Sequence, residues 1–187
     1  MAFPQRGGGR RPRVEEQKEF DQRILELARV TRVTKGGKRM RFRACIIIGD
    51  GKGRVGYGVA KGADVQQAVS KAVTQAKKDV ITIPLVNETL PFAVETKFTG
   101  AQVLLKPAPK GSGVKAGGAV RLVLEMAGVP NASAKIKGSS NKINNTKATM
   151  IALKKLKVTS KTDSAAKAMS TDRQAEKPAE DKPEAAK

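Results

Sequence analysis

Apolar and polar residues alternate strictly through the first half of residues 38–48, "KRMRFRACIII". The even positions are apolar: Met40, Phe42, Ala44, Ile46 and Ile48. The odd positions begin with Arg39, Arg41 and Arg43, which precede Cys45 and Ile47. Period-two alternation is typical of a half-buried β-strand. The segment is therefore predicted to be a strand with one apolar and one cationic face, on which a bound polyanion would relieve the mutual repulsion of the arginines.

The residues before this strand predict a hairpin. Gly36 and Gly37 separate two strand-like runs, a composition typical of a tight turn, and Lys35 and Lys38 flank its tip. Further upstream, the segment "RILELARV" at residues 23–30 fits either a helical apolar stripe or a strand, so its periodicity leaves both open.

The glycines that follow the strand have the spacing of a nucleotide-binding loop. Gly51, Gly53 and Gly56 form G-x-G-x-x-G within "GDGKGRVGYG". In a dinucleotide-binding fold such a loop opens a helix, but here Val55, Tyr57 and Val59 predict another strand. A kinase glycine loop would need catalytic H-R-D and D-F-G motifs, and the chain contains no histidine. We therefore interpret the segment as a hairpin turn, after which Gly56 and Gly58 allow another backbone to approach the sheet closely.

A first amphipathic helix and a second folded unit follow. Residues 63–79 show helical apolar spacing, and Asp64 with Gln67 resembles a capping box. The second unit has strands at 91–98, 101–107 and 132–138 and helices at 119–128 and 141–157. The glycine-rich loop at 108–118 precedes the first of these helices, and it is equally consistent with a phosphate site or a protein contact. Its candidate residues are Lys110, Gly111, Gly113, Lys115, Gly117 and Gly118.

The charge of the chain indicates a polyanionic partner. The 187 residues include 37 Lys and Arg against 17 Asp and Glu, which gives a net charge of +20 that is concentrated in residues 21–156. Nucleic acid is the first expectation, and an anionic membrane surface is the second. We find no apolar run that would span a bilayer and no secretory signal, so a cytoplasmic protein is expected. Both ends of the chain have compositions typical of disorder.

Catalytic and metal-binding patterns are missing from the sequence. Without histidine there is no Ser–His–Asp or Cys–His set, and the acidic residues are scattered. One cysteine allows neither an internal disulfide nor a cysteine-based zinc site. The few aromatic residues do not suggest a base-stacking platform, so recognition should depend on phosphates and shape. We expect no enzyme activity, cofactor, metal ion or small-molecule substrate.

Several ordered motifs carry a family resemblance. Three segments resemble protein five of the small ribosomal subunit, in its bacterial form: residues 29–79, "LLKPAPKGSGVKAGGAVRLVLEMAG" and "KGSSNKINNTKATMIAL". The resemblance runs from about Phe20 to about Leu156. The resemblance implies an α+β fold with two small domains. The first is similar to a double-stranded-RNA-binding domain, with three strands and a helix, and settles residues 24–34 as a strand. The second is a βαβ-type sandwich.

The resemblance implies domain limits and partners. We expect a basic disordered tail at 1–20, the first domain at 21–86, the second at 87–157, and a low-complexity disordered tail at 158–187. The implied partners are small-subunit ribosomal RNA near the head–body junction, small-subunit proteins four and eight, and messenger RNA near its entry path, with roles in assembly and decoding accuracy. The expected RNA-binding residues are Lys35, Gly36, Gly37, Lys38, Arg39, Arg41, Arg43, Lys52, Arg54 and Lys61.

Some residues depart from the family pattern, and two other functions stay open. Lys110 and Lys115 make the glycine-rich loop more basic than is usual in the family, which would bring it closer to RNA; Phe92, Lys142 and Asn145 also depart. The net charge alone fits a free-standing nucleic-acid chaperone nearly as well as a ribosomal protein. The glycine spacing would fit an enzyme that uses a nucleotide.

Overall fold

The computed structural model describes residues 19–156. The first unit is an antiparallel sheet in the order β1-β2-β3-β4, with one helix. Its elements are β1 (Asp21–Thr34), β2 (Gly37–Gly49), β3 (Arg54–Gly62), α1 (Val65–Lys78) and the short β4 (Ile81–Thr82). The predicted succession of three strands and a helix is confirmed, and the ambiguous segment before the hairpin is a strand.

Small residues bring α1 close to the sheet. Ala68, Ala72 and Ala76 of α1 are completely buried against β2 and β3. On β3, a Cβ atom placed on Gly58 would overlap the carbonyl oxygen of Ala72, and one on Gly56 would lie 2.5 Å from the carbonyl oxygen of Ala76. The prediction that these glycines allow close backbone approach is confirmed, and the approaching backbone is α1.

The predicted capping box of α1 is wrong. Asp64 is the N-cap residue, but its side chain makes no capping hydrogen bond. Its backbone carbonyl accepts from the N–H of Ala68 at 3.0 Å, which begins the helical pattern without help from a side chain. Packing of the alanine face therefore contributes more to the stability of this helix than capping does.

The second unit is a mixed sheet in the order β5-β6-β8-β7 with two helices. Its elements are β5 (Val94–Phe98), β6 (Ala101–Pro107), β7 (Val114–Lys115), α2 (Gly118–Ala127), β8 (Ala132–Gly138) and α3 (Lys142–Lys155). Strands β7 and β8 are parallel and are joined through α2, so the predicted βαβ arrangement and the α+β fold class are confirmed. Gly128 ends α2 in the left-handed conformation with φ of 75°, as its position predicted.

The two units share one hydrophobic core. Ile47 of β2 and Val55 of β3 are completely buried together with Val120, Val123 and other residues of the second unit. The face of β2 that carries arginines near the hairpin thus becomes apolar at Cys45 and is covered by the second unit, while α1 covers the opposite face. The predicted disordered tails lie almost entirely outside the described residues.

Candidate nucleic-acid interface

The pairing of β1, β2 and β3 places several cationic side chains on one face of the first sheet. Residues directly opposite each other on paired strands project from the same face. Arg39 of β2 is opposite Arg32 of β1, and Arg43 is opposite Lys61 of β3. Arg41 lies between them in the alternation of β2. We call this surface the arginine face; it comprises Arg32, Arg39, Arg41, Arg43 and Lys61.

The outer part of the arginine face is open and not neutralised by acids. An open groove of about 290 Å³ is lined by Val30, Thr31, Arg32, Arg39, Arg41 and Lys61. Within the described part of the chain, none of the four cations in this groove forms an ion pair. Like charges so close together repel one another. The groove is therefore suited to an extended polyanion and poorly suited to a small enclosed ligand.

Arg43 differs from its neighbours because it faces an acid. Its guanidinium lies 3.8 Å from the carboxylate of Glu26 on β1, and both side chains are about two-thirds buried. Next to this pair, burial and, to a smaller extent, the charge of Glu26 raise the pKa of the Cys45 thiol to about 11, although Arg43 and Lys147 oppose the shift. The thiol therefore remains protonated at neutral pH and is not a nucleophile.

The hairpin tip adds a second group of exposed cations. A two-residue turn, Lys35 and Gly36, joins β1 to β2, and Thr34 donates a hydrogen bond to the carbonyl of Gly37 at 3.1 Å. Gly37 has φ of 139°, a conformation that only glycine adopts without strain. Within residues 19–156, nothing beyond the neighbouring residues comes within 4 Å of a Cβ placed on Gly36 or Gly37. Lys38 is exposed as well, so the whole tip is accessible to a partner.

Lys52 and Arg54 are not part of this surface. They lie beyond the other end of β2, a strand that spans roughly 40 Å, and Arg54 projects toward the face covered by α1. Asp50 accepts from the backbone N–H of Lys52 at 2.8 Å and from Nε of Arg54 at 2.7 Å. The Arg54 guanidinium also lies 5.1 Å from the ring centroid of Phe20. These contacts give Arg54 a structural role in the turn.

The glycine-rich turn at 49–53 binds protein backbone. The N–H of Gly51 donates to the carbonyl of Met126 at 3.2 Å, and the N–H of Gly53 donates to Ala127 at 2.8 Å. A Cβ placed on Gly128 would overlap the backbone of Gly51. The amides that would surround a phosphate in a nucleotide loop are therefore occupied by the end of α2, which explains the G-x-G-x-x-G spacing structurally.

The loop at 108–118 forms a separate surface. Its backbone is held by Asn131, whose Oδ1 accepts from the N–H of Gly113 at 3.1 Å. Lys110 lies 3.9 Å from Glu88, with both side chains exposed, and Lys115 is exposed on β7. Gly117 is the N-cap of α2, and Gly111 and Gly113 have positive φ angles. None of the loop residues is among those that line the groove of the arginine face, so the loop is a second, separate candidate surface.

Two features of the face were missed by the sequence reasoning. Arg32 could have been found by counting back from the two-residue turn, which places it opposite Arg39. Glu26 could have been found in the same way, because the register from the turn continues to the pair Glu26–Cys45, next to Arg43, and shifts only beyond it, between Ile24 and Glu26. No helix in residues 19–156 is long and apolar enough to cross a membrane. The same residues hold no cluster of three His, Cys, Asp or Glu side chains that could bind a metal ion.

Comparison with known families assigns both units to one family. Residues 20–84 match the family model described as Ribosomal protein S5, N-terminal domain. Residues 96–168 match the model described as Ribosomal protein S5, C-terminal domain. The two matches cover most of the chain in the order expected for a single protein. The second match extends past Leu156, where the resemblance seen in the sequence ended.

Proposed function

Because the chain belongs to the ribosomal protein S5 family, we propose that its arginine face binds phosphates of small-subunit ribosomal RNA. The family consists of structural proteins of the small ribosomal subunit and is not an enzyme family. The chain is accordingly an RNA-binding protein of the ribosome that takes part in translation. The surface that makes the RNA contact, its position in the subunit and its protein neighbours are our proposals.

The unpaired cations of the outer groove carry this proposal. Arg32, Arg39, Arg41 and Lys61 surround one open surface without an acidic partner among residues 19–156. Guanidinium groups bind phosphate oxygens in pairs of parallel hydrogen bonds. Neutralising a phosphate also releases condensed counterions, which is favourable at physiological salt. The groove therefore offers RNA both geometry and charge, whereas Arg43 contributes less because Glu26 already faces it.

The position that we propose is near the head–body junction of the small subunit, beside the entry path of messenger RNA. The exposed hairpin tip at residues 35–39 would reach toward ribosomal RNA there. The loop at 108–118 would face small-subunit protein four, and the second unit would contact protein eight. In this position the protein would support assembly and decoding accuracy in the cytoplasm. The resemblance of the sequence to the family supports these contacts, and the basic residues Lys110 and Lys115 favour some RNA contact for the loop as well.

A pair of charge reversals on one hairpin tests the arginine face. Arg41→Glu alters the groove, while Arg29→Glu alters the opposite face of the same hairpin at an exposed position. Loss of one charge-assisted phosphate contact costs about 1.5–3 kcal/mol, so we expect Arg41→Glu to compete for small subunits at least about tenfold less well than the unaltered chain. Arg29→Glu should compete normally. Incorporation is measured from tagged protein in sucrose gradients, and equal incorporation of both variants would overturn the proposal.

The salt dependence of binding to small subunits distinguishes this function from a nucleic-acid chaperone and from an enzyme that uses a nucleotide. An integral ribosomal protein should migrate with small subunits in both low-salt and high-salt gradients. A nucleic-acid chaperone would move to the top of the high-salt gradient and bind generic duplexes. An enzyme that uses a nucleotide would bind ATP or NAD saturably, which we do not expect because the amides of Gly51 and Gly53 are occupied.

A further inference from the structure

A cleft lies where α3 meets the first sheet. Its lining consists of Tyr57, Phe98, Lys147, Met150, Ile151 and Lys154, and its volume is about 150 Å³. The four α3 residues are spaced i, i+3, i+4 and i+7, so they form one face of that helix. Tyr57 comes from β3 and Phe98 from the end of β5. Neither the charge pattern nor the family comparison indicated this cleft.

The cleft combines aromatic rings with ammonium groups. Tyr57 and Phe98 are both partly buried, and Nζ of Lys147 lies 5.4 Å from the centroid of the Phe98 ring. Within the described residues, neither Lys147 nor Lys154 forms an ion pair. Burial is the main cause that raises the pKa of Tyr57, so its hydroxyl stays protonated and able to donate. Small-molecule pockets usually measure roughly 300–1,000 Å³, which means that this cleft has room for one planar ring and not for a complete cofactor.

The cleft and the arginine face lie on the same face of the first sheet. Tyr57 and Lys61 project from the same face of β3, about 13 Å apart along the strand. Between the cleft and the arginine face lies Cys45, which is close enough to both Arg43 and Lys147 for each to act on its titration. A single strand of nucleic acid leaving the outer groove could therefore pass along one side of the molecule to α3.

We propose that an unpaired base of ribosomal RNA occupies this cleft, with its flanking phosphates bound by Lys147 and Lys154. This rests on the proposed function of the arginine face. Unpaired bases in RNA stack on aromatic side chains, and stacking tolerates any base because each has a π face. The ammonium of Lys147 already lies within cation–π range of Phe98 and can move to a phosphate when a base enters. Met150 and Ile151 provide an apolar floor that excludes water.

Ultraviolet crosslinking of intact small subunits tests the identity of the occupant. Irradiation at short wavelength joins stacked bases to aromatic residues without a linker, and the modified peptides are found by mass spectrometry. After trypsin digestion, Tyr57 lies in the peptide of residues 55–61 and Phe98 in that of residues 98–110. We expect a nucleotide adduct on one or both. Adducts on other peptides of this chain but on neither of these would overturn the proposal, as would a crosslink from the cleft to a protein or to residues 157–187 of the same chain.

Two matched double variants measure the phosphate contacts. Lys147→Gln with Lys154→Gln removes both cleft cations, and Lys142→Gln with Lys155→Gln removes two exposed cations of α3 that do not line the cleft. Each phosphate contact with single-stranded nucleic acid contributes about 0.7 to the slope of log affinity against log salt. For binding to small-subunit ribosomal RNA, the slope of the Lys147 and Lys154 double variant should therefore be smaller in magnitude by about 1.4 than that of the unaltered chain. The control variant should have the same slope as the unaltered chain. Equal slopes in both variants would contradict a base in the cleft.

The experiments distinguish a failure of the arginine-face proposal from a failure of the cleft proposal. If Arg41→Glu incorporates normally but the cleft gives adducts, the arginine face is the part that is wrong. If Arg41→Glu fails to incorporate while the cleft variant keeps its full slope and gives no adduct, the proposed function stands and the base site is rejected.

Discussion

Asp50 shows how a single acid can organise a basic turn. Burial is the largest single effect on this carboxyl group, and it favours the neutral acid. The hydrogen bonds from the Arg54 side chain and from the N–H groups of Lys52 and Arg54 together outweigh burial and lower the pKa from 3.8 to about 2. The carboxylate holds the turn at 49–53 in the conformation that donates to Met126 and Ala127 of α2. Its charge therefore supports the contact between the two units and does not merely offset nearby cations.

The lowered pKa of Asp50 predicts a dependence of stability on pH. A carboxyl group whose pKa is lower in the folded than in the unfolded state stabilises the fold above the unfolded value. This stabilisation is lost as the pH falls from about 4 toward 2. We expect the free energy of unfolding of the unaltered chain to fall more steeply across this range than that of Asp50→Asn. Urea titrations at pH 5, 4 and 3 would measure this, and parallel pH profiles would show that the Asp50 contacts do not persist in solution.

At the scale of elements, β1 shows why part of the fold could not be predicted from periodicity. The register shift between Ile24 and Glu26 interrupts the alternation of β1. Leu25 contacts the shared core, whereas Ile24 and Leu27 remain 52% and 45% exposed. Because the bulge places these three residues out of strict alternation, the segment resembled a helical stripe as well as a strand. The ion pair between Glu26 and Arg43 lies on the hairpin side of this shift, where the pairing is regular and places Glu26 opposite Cys45, next to Arg43.

By contrast, β2 and β3 could be predicted well, because their local patterns and their tertiary contacts agree. Strict alternation predicted that Arg39 and Arg41 lie on one face of β2. The glycines of β3, which have no side chain, predicted that another backbone approaches the sheet closely. The sequence did not show which element approaches these glycines, or that the turn at 49–53 docks on α2. Both depend on contacts between residues that are distant in sequence. The cleft at Phe98 and Lys147 was also beyond sequence reasoning, since it joins residues from three elements.

The contact between α1 and β3 predicts a sharp difference between two glycines. Gly58→Ala would force α1 away from the sheet, because the added Cβ overlaps the carbonyl oxygen of Ala72. Overpacking of this kind costs about 1–3 kcal/mol. Gly36→Ala is the control, since nothing in the described part of the chain beyond its neighbours lies within 4 Å of its Cβ position, and it should change stability by less than about 0.5 kcal/mol. Thermal unfolding of both variants checks this, and similar losses in both would contradict the tight packing of α1.

At the scale of the whole molecule, the positive charge belongs to the two packed units. The net charge of +20 is carried almost entirely by residues 21–156, and residues 158–187 contain equal numbers of basic and acidic side chains. The arginine face and the cleft are on one side of a body whose units share a core. Binding to RNA should therefore depend on the folded region and change little when the last residues are removed.

Two truncations test this view of the molecule. Deleting everything after Lys157 leaves the net charge unchanged, so we expect normal incorporation into small subunits and an unaltered salt dependence. Deleting only the residues after Ala168 keeps the whole of the family match. If the longer deletion fails and the shorter one succeeds, residues 158–168 make a contact that charge does not reveal. Failure of both would place a binding segment in the last residues and contradict the confinement of RNA binding to the two units.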